Sequence, residues 1–588
     1  MRTWFPAVLV WVAWGSVAAA QSPLDFDWSL WRSVPVQDGG RYKPLDSMAW
    51  ETLRLLCNRG SFPDPETGRP LEPTAWYVTL VLESPELGRS PHATMGRQSS
   101  PQPGPDRWDQ APLLRVDDLQ LREALGMAAD QKYISPAELS SAHITDPQTG
   151  RTVRFLEWAR PLQGAKRRAL PLFERKAAEL ADAFHFYREH RRGLRMGLVP
   201  AANAEDDRWF SLGELVSTKF TDQNDPTGVL RRVQSQLVEV REALQGGSAE
   251  RFNAASAALV ATLAEVGPQQ GTYPAAWVIN LEVSYNHWVP FRFAWVLTTL
   301  AFVLSLLGMG AGRRGLYRLA VVAFVAGLVA MLVGFGMRIA ISGRAPVTNM
   351  YESVVYLALG TALFGLAFEW FYRSQYVLAA AAAVSTVALV LADNCPAVLD
   401  PSLQPLTPVL RSNFWLVTHV MSITLSYAAF ALALGIGNIT LGYYLVGSRR
   451  EDTIAALTRF TYRALQVGVL LLAAGTILGG VWADYAWGRF WGWDPKEVWA
   501  LIALLGYLAV LHARYVGWVG SLGLAALSVV CFSLVVMAWY GVNFVLGAGL
   551  HSYGFGGGGQ SLVFSAIAIQ CLYVAIAVLA ARARASQA

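Results

Sequence analysis

Two patterns of apolar positions divide the chain. Over residues 170–194 and 226–266 apolar side chains recur at spacings of three and four with charges between them, which predicts amphipathic helices of a water-soluble domain. From about residue 291 the spacing gives way to unbroken apolar runs near 292–310, 315–341, 353–372, 376–393, 415–445, 463–482, 497–516, 519–545 and 562–582. Each approaches or exceeds the roughly 20 residues that a helix needs to cross a bilayer. At the other end, Arg2 precedes an apolar stretch over 5–17 and then Ala18, Ala19 and Ala20, the pattern of a secretory signal; retained, it would be a short anchor. The predicted fold is all-α: a polytopic membrane bundle of about nine spans preceded by a mostly helical periplasmic domain. The expected divisions are a signal peptide over 1–20, a soluble domain over 21–290 and a transmembrane domain over 291–588.

Positive charge gives the expected orientation. Arg313 with Arg314, Arg373, Arg449 with Arg450, and Arg514 fall in alternate links, and Arg582 and Arg584 lie in the tail. Under the positive-inside rule these are cytoplasmic. The soluble domain and the links 342–352, 393–414, 482–496 and 546–560 then lie outside a bacterial inner membrane, with the C-terminus in the cytoplasm.

Composition narrows the chemistry. The chain is 53% hydrophobic and 15% charged, with a mean hydropathy of +0.31, as suits a membrane protein. A net charge of +5, spread along the chain, provides no nucleic-acid face. The cysteines Cys57, Cys395, Cys531 and Cys571 form no CxxC, CxxCH or zinc pattern, so the chain is not itself a c-type cytochrome. Cys531 and Cys571 read as small packing residues. His92, His143, His185 and His190 are scattered through the soluble part and read as surface or packing histidines. The phrase over 35–45 reads as a structured turn without chemistry.

The specific signal is the link after the sixth span, where Trp482, Trp487, Trp491, Trp493 and Trp499 crowd around Gly488, Arg489, Phe490, Gly492, Asp494, Pro495 and Lys496. Tryptophan alone fits an interfacial belt. An ordered Gly-x-x-Trp-x-Trp-Asp spacing, with glycines that admit a flat ligand, points instead to porphyrin contact. The string from Trp487 to Asp494 resembles the tryptophan-rich WWD signature of the haem-handling family that includes the CcsA and ResC proteins of System II cytochrome c maturation. The likeness extends from Tyr285-Asn286 through Pro346-Val347-Thr348-Asn349-Met350-Tyr351-Glu352-Ser353 to the C-terminus; the long N-terminal domain departs from the minimal family member.

His419, near the outer end of the fifth span, and His551, in the last outward link, fall where the family places haem ligands. Two imidazoles flanking the loop on one face suit bis-histidine ligation of haem iron. His512, near the cytoplasmic end of the seventh span, is either an interface histidine or, as the resemblance implies, a ligand for haem on its way through the membrane. The resemblance also implies haem b as the bound group, and a CcsB- or ResB-like membrane subunit and an apocytochrome c as partners; for the soluble domain, docking of apocytochrome, docking of a thiol-reducing protein and a scaffold role stay open. Trp487, Trp491, Trp493 and Asp494 complete the expected haem-binding set, with Arg338, Arg344, Arg489 and Lys496 as outward cations for the propionates and Glu352 or Asp494 as acceptors that orient a histidine. The expected function is haem presentation for covalent attachment to CxxCH segments, within a haem lyase or synthase complex. A haem exporter without ligation activity, or an unrelated transporter with an aromatic gate, stays open.

Overall fold

The computed structural model describes residues 25–89, 106–147, 149–165, 170–202, 207–396, 398–405, 414–447, 450–547, 549 and 558–586. The expected signal peptide, His92 and His551 lie outside them. The chain divides into two compact units, Met1–Val283 and Ser284–Ala588.

The first unit mixes helices with small sheets, which the helical spacing did not foretell. The phrase over 35–45 is a hairpin: β1 (Pro35–Asp38) pairs antiparallel with β2 (Arg41–Pro44) across Gly39 and Gly40, both at positive φ, the turn that two glycines permit without steric cost. β3 (Gly197–Pro200) and β4 (Trp209–Ser211) extend it in the order β4-β3-β1-β2. The helices α1 (Leu45–Cys57) and α2 (Pro73–Leu82) follow the hairpin, α2 being apolar and wholly buried. The first amphipathic stretch is α3 (Leu172–Arg191). The second is two helices, α4 (Val229–Gln245) and α5 (Ala249–Gln270), because Gly246 and Gly247 stop the first and Ser248 caps the second. The histidine readings divide: His143 and His185 are exposed, while His190 is fully buried, its Nδ1 2.7 Å from the Tyr77 hydroxyl. α6 (Ala276–Trp288) closes this part of the chain.

The second unit is a helical, multi-pass membrane structure. Among the described residues nine helical segments are long and apolar enough to cross a bilayer. In hydrocarbon only a helix satisfies its own backbone, so long apolar runs resolve as helices. These are α7 (Pro290–Ala311), α8 (Arg314–Ser342), α9 (Met350–Tyr372), α10 (Tyr376–Asn394), α11 (Phe414–Leu445), α12 (Glu451–Trp487), α13 (Pro495–Tyr515), the segment beginning with α14 (Ser521–Val530), and α15 (Gln560–Ala585). The first of the nine runs back through α6, with a break at Val289, whose φ is 45°. The eighth breaks at Cys531, passes through Phe532–Val536 and ends in a π-helix, Met537–Leu546. Cys571 is exposed on α15, so it is not the packing residue expected.

α11 and α12 pack through glycines. Gly468 receives Phe430, Gly475 receives Ile423 and Gly479 receives His419; a Cβ on Gly475 or Gly479 would lie 2.6 or 2.5 Å from the facing side chain. Small residues on one helix face let two membrane helices approach closely. Phe430 also stacks on Tyr507 of α13 at 3.8 Å between centroids, tying the third helix to this pair.

Candidate functional site

The link between α12 and α13 is held open by its own backbone. Gly488 ends α12 at φ 68°, in the left-handed region where glycine is the usual stop. Asp494 starts α13 in a reciprocal cap: its side chain accepts from the Lys496 amide at 3.1 Å, while Glu497 accepts from the amides of Asp494 at 3.1 Å and Gly492 at 2.8 Å. Pro495 occupies the first helical position, which lacks a donor to satisfy. Between these anchors Trp493 adopts φ 57°, a costly conformation for a large side chain and the kind of strain that collects at functional loops. Its ring is 71% exposed and stands edge-on to Trp491, with centroids 6.0 Å apart. Trp487 packs edge-on to buried Trp482 at 4.7 Å. Arg489 lies over Trp487 and pairs with Glu497 at 3.2 Å.

His419 and Phe490 rest on consecutive glycines. The His419 ring lies against Gly479, and Phe490, from the tryptophan loop, lies against Gly480, where a Cβ would be 2.5 Å from its Cζ. The imidazole and the loop are thus brought together by α12. His419 Nδ1 is 2.6 Å from the Gly475 carbonyl oxygen, which can only accept, so Nδ1 carries the hydrogen and the lone pair is assigned to Nε2. A histidine ligand is oriented in this way: one ring nitrogen donates to a carbonyl and the other faces the metal.

Several links meet at this end of the bundle. Arg338 reaches the Pro401 carbonyl and Arg344 the Gln404 carbonyl; Gly559 abuts Val398; the Tyr540 hydroxyl donates to the Gly558 carbonyl; Gly549 abuts Asp494. The Pro346-to-Ser353 phrase is a helix start in which the Asn349 side chain accepts from the Glu352 amide. Glu352 in turn takes Arg338 at 2.7 Å and Thr348 through its amide and hydroxyl, each at 2.8 Å. Both charges of the Arg338–Glu352 pair are 1% exposed. Arg338 is therefore committed to the protein, which corrects its reading as a propionate cation, and Glu352 orients Arg338.

His512 is elsewhere. It is exposed in the last turn of α13, about 26 Å along the helix from Pro495 at roughly 1.5 Å per residue. Its Nδ1 lies 2.7 Å from the Leu508 carbonyl, so it has the same tautomer as His419 at the opposite end of the bundle. Among the described residues no cluster of three metal-ligating side chains forms. The glycines that build the His419 seat are not among the residues the tryptophan pattern marks; their signal is the spacing of Gly468, Gly475 and Gly479, seven and four apart within one apolar run, which suits close helix packing.

The fold and this end of the bundle define a multi-pass helical membrane protein with a histidine seated against a tryptophan loop. Known proteins make the class specific. The family model described as Cytochrome C assembly protein matches residues 347–551. The cytochrome c biogenesis protein CcsA of Prochlorococcus marinus (strain NATL2A) is 38% identical over 255 residues, 36% of this chain and 78% of that protein. CcsA of Synechococcus sp. (strain CC9902) is 35% identical over 304 residues, covering 45% of this chain and 98% of that one. Protein NrfI of Wolinella succinogenes is 26% identical over 541 residues, 88% of this chain, which spans about half of that relative's length (53%). The chain belongs to the CcsA family of cytochrome c biogenesis proteins, and its role lies in cytochrome c maturation.

Proposed function

We propose that this protein holds haem b at the tryptophan-loop end of its bundle and presents it for covalent attachment to CxxCH apocytochromes. His419 Nε2 and His551 are the two axial ligands, and Trp487, Trp491 and Trp493 give flat apolar contact to the porphyrin. Asp494 fixes the loop between them. The observation that carries this reading is the His419 seat: an imidazole with its tautomer set by Gly475, on the glycine next to the one that receives Phe490 of the loop.

The residues fit the group chemically. A neutral imidazole with its lone pair on Nε2 suits haem iron, and the exposed Trp493 ring offers a face or edge to a planar ligand. The addition itself is redox-neutral once the cysteines are thiols: each cysteine S–H of the apocytochrome adds across one vinyl C=C, forming a C–S bond while the proton goes to the other vinyl carbon. The protein contributes position, holding the vinyl edge where the paired thiols arrive. The incoming histidine of CxxCH then replaces one protein histidine on iron and frees the product.

In this reading the loop end faces the periplasm and the first unit is periplasmic. A CcsB- or ResB-like subunit supplies the partner for His512, which binds haem on an inward-to-outward route. A thiol-reducing protein keeps the CxxCH cysteines reduced. The test is reconstitution in cells whose own cytochrome c maturation is deleted, with and without the partner subunit: a haem-stained cytochrome that depends on this chain supports ligation. Haem bound to the purified chain, with the cytochrome remaining apo, would favour export without attachment.

A further inference from the structure

Of the four cations expected near the haem carboxylates, three are engaged by the protein. Arg338 is bound to Glu352, the Tyr285 hydroxyl and the Pro401 carbonyl; Arg489 is bound to Glu497; Arg344 donates to the Gln404 carbonyl. Lys496 differs. It is half-buried at the second position of α13, and among the described residues its ammonium has one hydrogen bond, 3.3 Å to the neutral amide oxygen of Asn543, and no carboxylate within ion-pair distance. Its three donors are thus met by a single neutral acceptor, with the Asp494 carboxylate acting on its charge from beyond ion-pair distance.

The location is electrostatically unfavourable for a lysine. The first turn of a helix carries the positive end of the backbone dipole, which favours anions. Asn543 is itself buried, and its Nδ2 donates to the Trp539 carbonyl at 2.9 Å, which aims Oδ1 at Lys496. Both Asn543 and Trp539 belong to the π-helix, a rare geometry that is frequent at functional sites. Trp539 Nε1 donates to Ser353 Oγ at 3.0 Å, fastening that segment to α9. A cation so placed, against the π-helix and two residues from Asp494, has the chemistry to take an anion arriving at the loop.

We propose that Lys496, positioned by Asn543, binds a haem carboxylate and so sets which edge of the porphyrin points out of the site. This rests on the haem-presentation reading above and deepens it. A porphyrin has its two carboxylates on one edge and its vinyls on the remainder, so anchoring a carboxylate at Lys496 turns the vinyl carbons toward the arriving thiols. A second source of anion, a lipid phosphate, is compatible with an ammonium at a span end, but the contact with buried Asn543 directs Lys496 into the bundle.

The test is titration of the purified full-length protein, in detergent, with two probes: haem and haem dimethyl ester, which keeps the iron and vinyls but has no carboxylate charge. The unaltered protein should bind haem at least about tenfold more tightly than the ester, the scale of one charge-assisted hydrogen bond. Lys496→Gln should bring the two within about twofold while leaving ester affinity unchanged, which also verifies that the variant is folded. Lys496→Arg should keep most of the preference. A tenfold preference that persists in Lys496→Gln, as a lipid-phosphate role would give, or a native protein that does not distinguish the probes, overturns the assignment. If neither probe binds the unaltered protein, the haem-presentation reading fails, and this proposal with it.

Discussion

His419 Nδ1 lies 2.6 Å from the carbonyl oxygen of Gly475, one turn before the glycine on which the same imidazole rests. The two contacts act together: one sets the tautomer and the other sets how close the ring comes to α12. Gly479→Ala puts a Cβ 2.5 Å from Cε1 and 2.7 Å from Nδ1, so the ring must move although its chemistry is intact. Purified Gly479→Ala protein should carry several-fold less haem at near-normal protein level, because a ligand must be held to about 0.5 Å. Haem content equal to the unaltered protein would show that the Gly479 seat does not matter.

The loop residues should separate by role. Trp493 is 71% exposed, so Trp493→Ala should leave thermal stability within about 0.5 kcal/mol, as surface changes usually do, while lowering cytochrome yield. Asp494 is 5% exposed and caps α13, so Asp494→Ala should cost about 1 kcal/mol in addition to any loss of yield. Melting curves measured alongside haem-stained cytochrome decide it; equal destabilisation by both would mark the whole loop as structural.

Arg338 and Glu352 form a buried pair, and removing one partner leaves the other charge uncompensated. Arg338→Met should destabilise the membrane unit by about 3–5 kcal/mol, seen as a lower melting temperature and reduced protein level, and Arg338→Met with Glu352→Gln should recover part of the loss. A stable Arg338→Met protein that had lost haem selectively would return Arg338 to the site.

The first unit should lose stability in acid, partly through His190. Burial holds the pKa of His190 down to about 3, with Arg195 and Lys43 acting in the same direction and Asp38 opposing them. The unfolded chain takes up the proton near pH 6.5, and the folded unit does not until about pH 3. In that interval the unfolded state binds more protons, so stability rises with pH and falls by roughly 1.4 kcal/mol for each unit lost on acidification. Pulse proteolysis in urea on the full chain, at pH 7 and pH 5, should show a shallower pH dependence in His190→Asn. An unchanged slope would contradict the burial argument.

How much of this was legible depends on the kind of signal. The nine apolar segments stand out because hydrocarbon rewards long runs whatever their neighbours, whereas the apolar pattern does not mark the start of α12 at Glu451, because its first four turns carry Glu451, Asp452, Arg459 and Arg463. The hairpin β1–β2 is too short for an alternation pattern, and only Gly39-Gly40 marks it. The tryptophan loop was conspicuous by composition. The seat of His419 was not, since it depends on which residues of α11 face Gly475 and Gly479, a tertiary relationship that no single run encodes. Arg338 looked available because its partner Glu352 lies 14 residues away, across a turn.

The most direct test of the central claim is the absorption spectrum of haem bound to the purified protein, unaltered and with His419→Ala, His551→Ala or His512→Ala. Bis-histidine ligation by His419 and His551 predicts a low-spin Soret with sharp reduced bands. It predicts loss of that signature in His419→Ala and His551→Ala, with partial return on adding imidazole, and an unaltered spectrum at lower haem content in His512→Ala. An identical low-spin spectrum and haem content in all three variants would contradict it.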